Sequence, residues 1–307
     1  MDRQQQINDF RDTIQDSKNK DFEFNISYKV PSINDTDLTY ESGKAKKGKE
    51  ITTCVLYVDI RNSVALTEKH QIKTMGRIYT AFTKCVLKAA RDEDGYVRNI
   101  IGDRVMVVFP SEKCFEKSVN CAISINHAAK ILNKEFFSVD FKCGIGIDYG
   151  KMNVIKVGIE RKGDENTENK GLVWVGCPAN YASRLTDNAN KHVEIKMYSV
   201  EGKMSNNPFA FFSSKKDYTA DQFAGKVKYS FGKITIGEFQ SITNIKEYVK
   251  SHDFNPILIS EEVLNGLKKE NQDLVNSYWK REDFPIRNID FNVYGADLTW
   301  KVTNKNY

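Results

Sequence analysis

Two aspartates in this chain stand where apolar runs stop. Asp59 follows "TCVLYV" at the point where a helix should begin, and Asp103 forms a Gly-Asp pair between "YVRNII" and "RVMVVF". Each has a plain structural explanation, because Asp caps helix N-termini and Gly-Asp makes a two-residue hairpin turn. If the two strands are neighbours in one sheet, however, the carboxylates meet, and they repel unless a cation lies between them. Mg²⁺ suits such a site, since it takes a few carboxylates and completes its shell with water and phosphate oxygens. A helix beginning over Asn62, Ser63 and Val64 would aim main-chain N–H groups at the same phosphates. The chemistry implied is metal-assisted work on a phosphate ester.

The elements that must position these residues follow from periodicity. Residues 1–49 are polar and include "SGKAKKGK", which predicts an N-terminal arm and flexible linker; the GxxxxGK[ST] spacing of a phosphate-binding Walker loop is missing. Order is expected from near Ile51. "ITTCVLYVD" reads as a buried strand, followed by one helix from Ser63 to about Arg91 with Ile78, Phe82, Cys85, Val86 and Ala89 at helical spacing. A hairpin, "YVRNIIGDRVMVVF", precedes a second helix from about Cys114 to Leu132. "VDFKCGIGIDYG" and "GLVWVG" then read as strands and "ANYASRLTDNAN" as a helix. This order predicts an α/β fold, an α+β sandwich with a mixed sheet flanked by helices, occupying residues 50–307. Two excursions interrupt it: "ERKGDENTENK" as an exposed loop, and an aromatic-rich insertion at about 200–250. The tail from "ILISEEVLNGL" to "VYGADLTWKV" returns to a strand, a helix and a strand pair.

Composition narrows the function. A net charge of +5 over 307 residues, with Lys interspersed among Glu and Asp, forms no basic stripe and argues against nucleic-acid binding. The six cysteines contain no CxxC pair and read as buried reduced thiols, while the four scattered histidines support neither a His metal site nor a triad. No run approaches the roughly 18 apolar residues of a membrane span, and "MDRQQQINDF" lacks the apolar core of a signal peptide. The expectation is a cytoplasmic protein with no membrane partner.

Four motifs in register, "VDIRNSVALT", "IIGDRVMVVF", "GIGIDYG" and "GCPANYASRL", resemble the class III nucleotidyl cyclase catalytic domain over about residues 50–190, with a fainter return at 255–302. The resemblance implies that Asp59 and Asp103 hold two metal ions, Mg²⁺ or Mn²⁺, with the carbonyl of Ile60 completing the first site. The family's Asn-x-x-x-Arg pair matches Asn180 and Arg184, whose spacing puts both on one helix face. By resemblance Asn180 orients the ribose, and Arg184 neutralises the α-phosphate as the 3′-hydroxyl attacks it. The family builds its site between two chains, which implies a homodimer with two equivalent sites and an inactive monomer.

The base-reading positions depart from the family's purine pattern. The position four residues before the second metal Asp, Lys in enzymes that use ATP and Glu in guanylate cyclases, is Asn99. The position seven before the Asn, Asp or Thr in enzymes that use ATP, is Val173, which accepts no hydrogen bond from an adenine amino group. This departure, with "DIRNS" in place of D-I-x-G-[FS], resembles the bacterial pyrimidine cyclases of anti-phage Pycsar systems. The implied reaction converts UTP or CTP to cyclic UMP or cyclic CMP, a messenger for a separate cyclic-nucleotide-gated effector. The Asn99 amide can donate to uracil O4 or accept from the cytosine amino group, and on a regular strand Arg98 points to the other face. The family's triphosphate-gripping Lys is replaced by Tyr294 in "VYG", leaving Arg104 and Lys301 as candidate cations. The alternatives are an ordinary adenylate cyclase with a divergent base pocket and a catalytically inactive cyclase-like binding module.

Overall fold

The computed structural model describes residues 2–159, 169–204, 214–230, 233–275 and 277–301. The chain divides into a unit of Met1–Lys191 with Asn255–Tyr307 and a second unit of His192–Phe254.

The first unit opens with α1 (Arg3–Asn19), β1 (Phe22–Ile26), β2 (Lys46–Ile60), α2 (Ser63–Lys69), α3 (Ile72–Asp92), β3 (Tyr96–Ile101) and β4 (Arg104–Val108). It continues through α4 (Cys114–Glu135), β5 (Cys143–Gly158), β6 (Lys170–Val175) and α5 (Cys177–Asn188). The second unit contributes β7 (His192–Met204), β8 (Ser214–Thr219), α6 (Ala220–Lys226), β9 (Val227–Ser230), β10 (Lys233–Ile236) and β11 (Phe239–Asp253). The chain then returns to the first unit with β12 (Ile257–Ser260), α7 (Glu261–Glu270), β13 (Lys280–Arg281) and β14 (Val293–Ala296).

The main sheet runs β13-β14-β12-β5-β2-β4-β3, with β1 added to β2 and β6 to β5. Most contacts are antiparallel, but β12 lies parallel to β5 and β1 parallel to β2, so the sheet is mixed, as predicted. The apolar run of β2 is buried on both faces, and this is why it reads as continuous rather than alternating. Cys54, Leu56, Val58 and Ile60 pack with α3, α4 and α7. Val55 packs on the other face with Met106, Met152 and Val154 beneath Ala179 and Ala182 of α5. In the second unit β11-β7-β8 form an antiparallel sheet beside a β9–β10 hairpin, around a small core of Val200, Tyr218, Ile236 and Phe239. The aromatic-rich stretch near 200–250 falls inside this unit.

Several expectations need correction. Residues 1–49 hold α1 and β1, and β2 starts at Lys46, so regular structure precedes Ile51. The single helix expected from Ser63 to about Arg91 is two, broken at His70 and Gln71, both extended. In one continuous helix Leu66 and Met75 would sit about 180° apart at 100° per residue; the break lets both bury. Cys177, at the start of α5, is exposed, whereas Cys54, Cys114, Cys121 and Cys143 are buried on the strands and helix that pack the core. The loop predicted at "ERKGDENTENK" lies mostly outside the described residues.

Candidate functional site

β2 ends at Ile60, and the chain then turns through Asn62 at φ +54°. That left-handed geometry favours glycine, and Asn is one of the few other residues that adopt it readily. Asn62 therefore does conformationally what Gly does in D-I-x-G. Ser63 opens α2 directly after it.

Asp59 is 17% exposed and carries two cations at its side: Arg104 Nη2 lies 3.2 Å from Oδ2 and Arg61 Nη2 lies 3.7 Å away. Arg104 also pairs with Asp187 and donates to Ser183 Oγ at 2.8 Å, both on α5. Burial works against the charge on Arg104, yet its hydrogen bonds to Asp187 and Asp59 outweigh that cost and hold its pKa above the ordinary value. Arg61 is only 4% exposed and donates at 2.6 Å to the carbonyl of Thr186, near the C-terminal end of α5, where carbonyls lack helix partners. Burial lowers its pKa, and Asp59 opposes the shift. Gly144, opposite Asp59 on β5, makes room: a Cβ there would stand 2.5 Å from both Arg61 Nη2 and the Ala189 carbonyl oxygen.

Asp103 is half-buried in the Gly102–Asp103 turn that feeds β4, with Gly102 at φ +61°. Because β2 and β4 are paired antiparallel with Val58 opposite Val105, Asp59 and Asp103 close the same end of two adjacent strands. The donor types fit a hard divalent cation: the two carboxylates and the Ile60 main-chain carbonyl would offer it oxygen atoms, and the guanidinium drawn onto Asp59 shows that positive charge is favoured there. Among the described residues no three His, Cys, Asp or Glu side chains converge, so water and substrate oxygens must supply the rest of any shell.

Asn180 and Arg184 share one face of α5; at 100° per residue Arg184 lies about 100° from Ser183 and about 60° from Asp187, while Asn180 lies about 60° from Ser183 and about 20° from Asp187. Arg184 donates to the Asn288 carbonyl at 2.8 Å and lies over the Tyr181 ring, while Asn180 is exposed. Within one chain Arg184 is engaged by Asn288 and Tyr181, and Ser183 and Asp187 are the α5 side chains that reach Arg104. Strand β3 is not regular: a bulge falls between Val97 and Asn99. Asn99 nevertheless pairs with Met106, itself opposite Tyr57 on β2, so Asn99 shares the sheet face that carries Asp59 two residues on. Arg98, at the bulge, stacks on Tyr96 at 4.8 Å. Val173 is 43% exposed on β6, opposite Ile155.

Lys301 follows Trp300, whose Nε1 donates to Ser124 on α4, a helix on the sheet face away from α5. Arg104 is therefore the better placed of the two candidate cations. Sequence reasoning missed Arg61, Ser183 and Asp187. Arg61 left a faint signal, a cation two residues after Asp59, and Ser183 and Asp187 left only an i,i+4 spacing. Also missed was Asp148, 5% exposed, which faces a cavity of about 420 Å³. Among the described residues no helix is long and apolar enough to cross a membrane.

No family model matches the chain. It is 33% identical over 168 residues to a uridylate cyclase of Burkholderia cepacia, a match spanning 53% of this chain and 69% of that protein. It is 32% identical over 164 residues to a uridylate cyclase of Xanthomonas perforans, spanning 50% of this chain and 68% of that one. Among solved structures, the adenylyl cyclase CyaB from P. aeruginosa superposes with a TM-score of 0.50 at 15% identity, covering 81% of this chain and 95% of CyaB, a likeness of fold alone.

Proposed function

Because the chain belongs to the uridylate cyclase family and is a pyrimidine nucleotide cyclase on the class III fold, we propose that it converts UTP to cyclic UMP and pyrophosphate at a site completed by a second copy of itself. The observation that carries this reading is the division of labour in the fold. Asp59 and Asp103 close two adjacent strand ends, whereas within the same chain Arg184 is engaged by the Asn288 carbonyl and the Tyr181 ring, and it is Ser183 and Asp187 of α5 that reach Arg104.

In the proposed site Asp59, Asp103 and the Ile60 carbonyl would hold Mg²⁺ or Mn²⁺. Such ions, when bound, lower the pKa of the attacking 3′-hydroxyl and balance charge on the leaving pyrophosphate. The main-chain N–H groups beginning at Asn62 and Ser63 take triphosphate oxygens. Asn180 from the partner copy orients the ribose, and its Arg184 stabilises the charge that builds on the α-phosphate in an in-line displacement. Asn99 reads the pyrimidine through its amide, and Val173 offers no polar group to a purine. Arg104, paired with Asp59 at the same strand end, would grip the β- and γ-phosphates. The product serves as a second messenger for a separate effector in anti-phage defence, a role supported by the resemblance to Pycsar cyclases.

The names of the relatives favour uracil over cytosine. The test is incubation of the purified protein with Mn²⁺ or Mg²⁺ and each of ATP, GTP, CTP and UTP, with products identified by mass spectrometry. Cyclic UMP from UTP is expected. Cyclic CMP as the main product would reverse the base assignment, and cyclic AMP would overturn the pyrimidine reading.

A further inference from the structure

β12 lies parallel to β5, with Ile259 opposite Ile147, and at its carboxyl end the chain leaves the sheet into α7. α7 packs in the core with α3 and α4, whereas α5 covers the opposite sheet face. Where flanking helices diverge to opposite faces at the carboxyl end of parallel strands, a crevice opens, and such crevices are where α/β sheets bind ligands. Here the crevice is the cavity of about 420 Å³, within the usual range for a small-molecule site. It runs along the β5–β12 flank of α5, while Arg104, Asp59 and Asp187 lie on the β2–β4 side.

The chemistry of its walls is specific. Asp148 is 95% buried by its 5% exposure and accepts hydrogen bonds from the Ser260 side chain and the Tyr149 N–H. Among the described residues it has no cationic partner. Glu261 and Glu262 add negative charge, and the one lysine on the lining, Lys151, is drawn 2.9 Å from Glu50. The remaining wall is aromatic. Tyr181 and Phe291 meet edge to face at 5.1 Å. A buried carboxylate under aromatic faces selects a cation carrying a flat ring, through ion pairing and ring contact together.

We infer that this crevice is an effector site for small ring-bearing organic cations, and that its occupancy is felt at Arg184. The link is Tyr181. Its ring lines the crevice and touches Phe291, and the Arg184 guanidinium stands 5.6 Å from its centroid. A ligand that shifts Tyr181 shifts the cation on which the transferring phosphate depends, and this part of the inference rests on the function proposed above.

Benzamidine, an aromatic amidinium, is the probe, and benzoate is its charge-reversed control. Calorimetry on the full chain at pH 7 is expected to show saturable benzamidine binding and none for benzoate. Asp148→Asn should weaken that binding at least tenfold, and Cys177→Phe, which places a ring at the crevice mouth, should abolish it. Saturating benzamidine should change kcat at least twofold in the wild-type chain and leave Asp148→Asn unmoved. No binding, or equal binding by Asp148→Asn, overturns the site; binding with unchanged kcat overturns the link to Arg184. Because binding is read by heat, a chain that binds benzamidine but cyclises no nucleotide rejects the proposed function and keeps the site.

Discussion

Asp148 gives the sharpest quantitative expectation. Its burial raises the carboxyl pKa from 3.8 to about 6, with hydrogen bonds from Ser260 and the Tyr149 N–H opposing the shift and nearby Glu262 adding to it. A folded pKa above the unfolded one means that the native state binds the proton more tightly. The stabilisation is therefore complete below about pH 4 and lost as pH rises through about 6. Two pKa units correspond to about 3 kcal/mol at 1.36 kcal/mol each, so above pH 6 the ionised side chain costs the fold up to about that amount. Asp148→Asn keeps the shape and removes the charge. Its stability relative to wild type should rise by up to about 3 kcal/mol between pH 4 and pH 7, read from urea midpoints at one fixed protein concentration. A carbon-13 titration should place the Asp148 carboxyl near 6. A carboxyl titrating near 4, or a mutant-to-wild-type difference that does not change between pH 4 and 7, would refute the reasoning.

Other expectations concern how the site is assembled. Arg61→Met removes a charge-assisted hydrogen bond to the Thr186 carbonyl while leaving Arg104 on Asp59, and should destabilise the fold by about 2–3 kcal/mol in urea; a change under about 0.5 kcal/mol would deny Arg61 its anchoring role. Gly146→Ala puts a Cβ 2.3 Å from the Ala182 carbonyl and 2.4 Å from the Thr186 nitrogen, so α5 must lift from the sheet. It should cost about 1–3 kcal/mol and reduce activity as well, whereas an unchanged melting curve would contradict the close approach. Asp59→Ala and Arg184→Ala should each abolish cyclisation alone. An equal mixture of the two should regain about a quarter of wild-type activity, because half of randomly paired dimers carry one intact site; no recovery after subunit exchange would refute the shared site.

Much of the fold was legible because its signals are local. The buried strand ending at Asp59, the Gly-Asp turn and the Pro178-initiated helix each carry their own periodicity or turn chemistry. The break between α2 and α3 was hidden because the apolar spacing from Ile78 onward is helical throughout, and the misfit of Leu66 shows only against a core. The start of β2 at Lys46 was hidden because its first residues are polar, with order supplied by pairing to β1 and β5. The preference for Asn99 over Arg98 depends on strand regularity, which the bulge between Val97 and Asn99 breaks. The ladder to Met106 still puts Asn99 on the face of Asp59.

By itself the sequence determined the residue types and the order of elements: carboxylates at strand ends, an Asn and an Arg one turn apart, and no polar group at position 173. These depend on neighbours a few residues away. Tertiary structure decided which groups share space. It placed Arg61 under α5, drew Arg104 onto Asp59 and Asp187, and buried Asp148 in a crevice between β5 and β12. Residues 61 and 186, or 148 and 260, are far apart in the chain, and only the register of the sheet and the close approach of α5 over Gly144 and Gly146 bring them together.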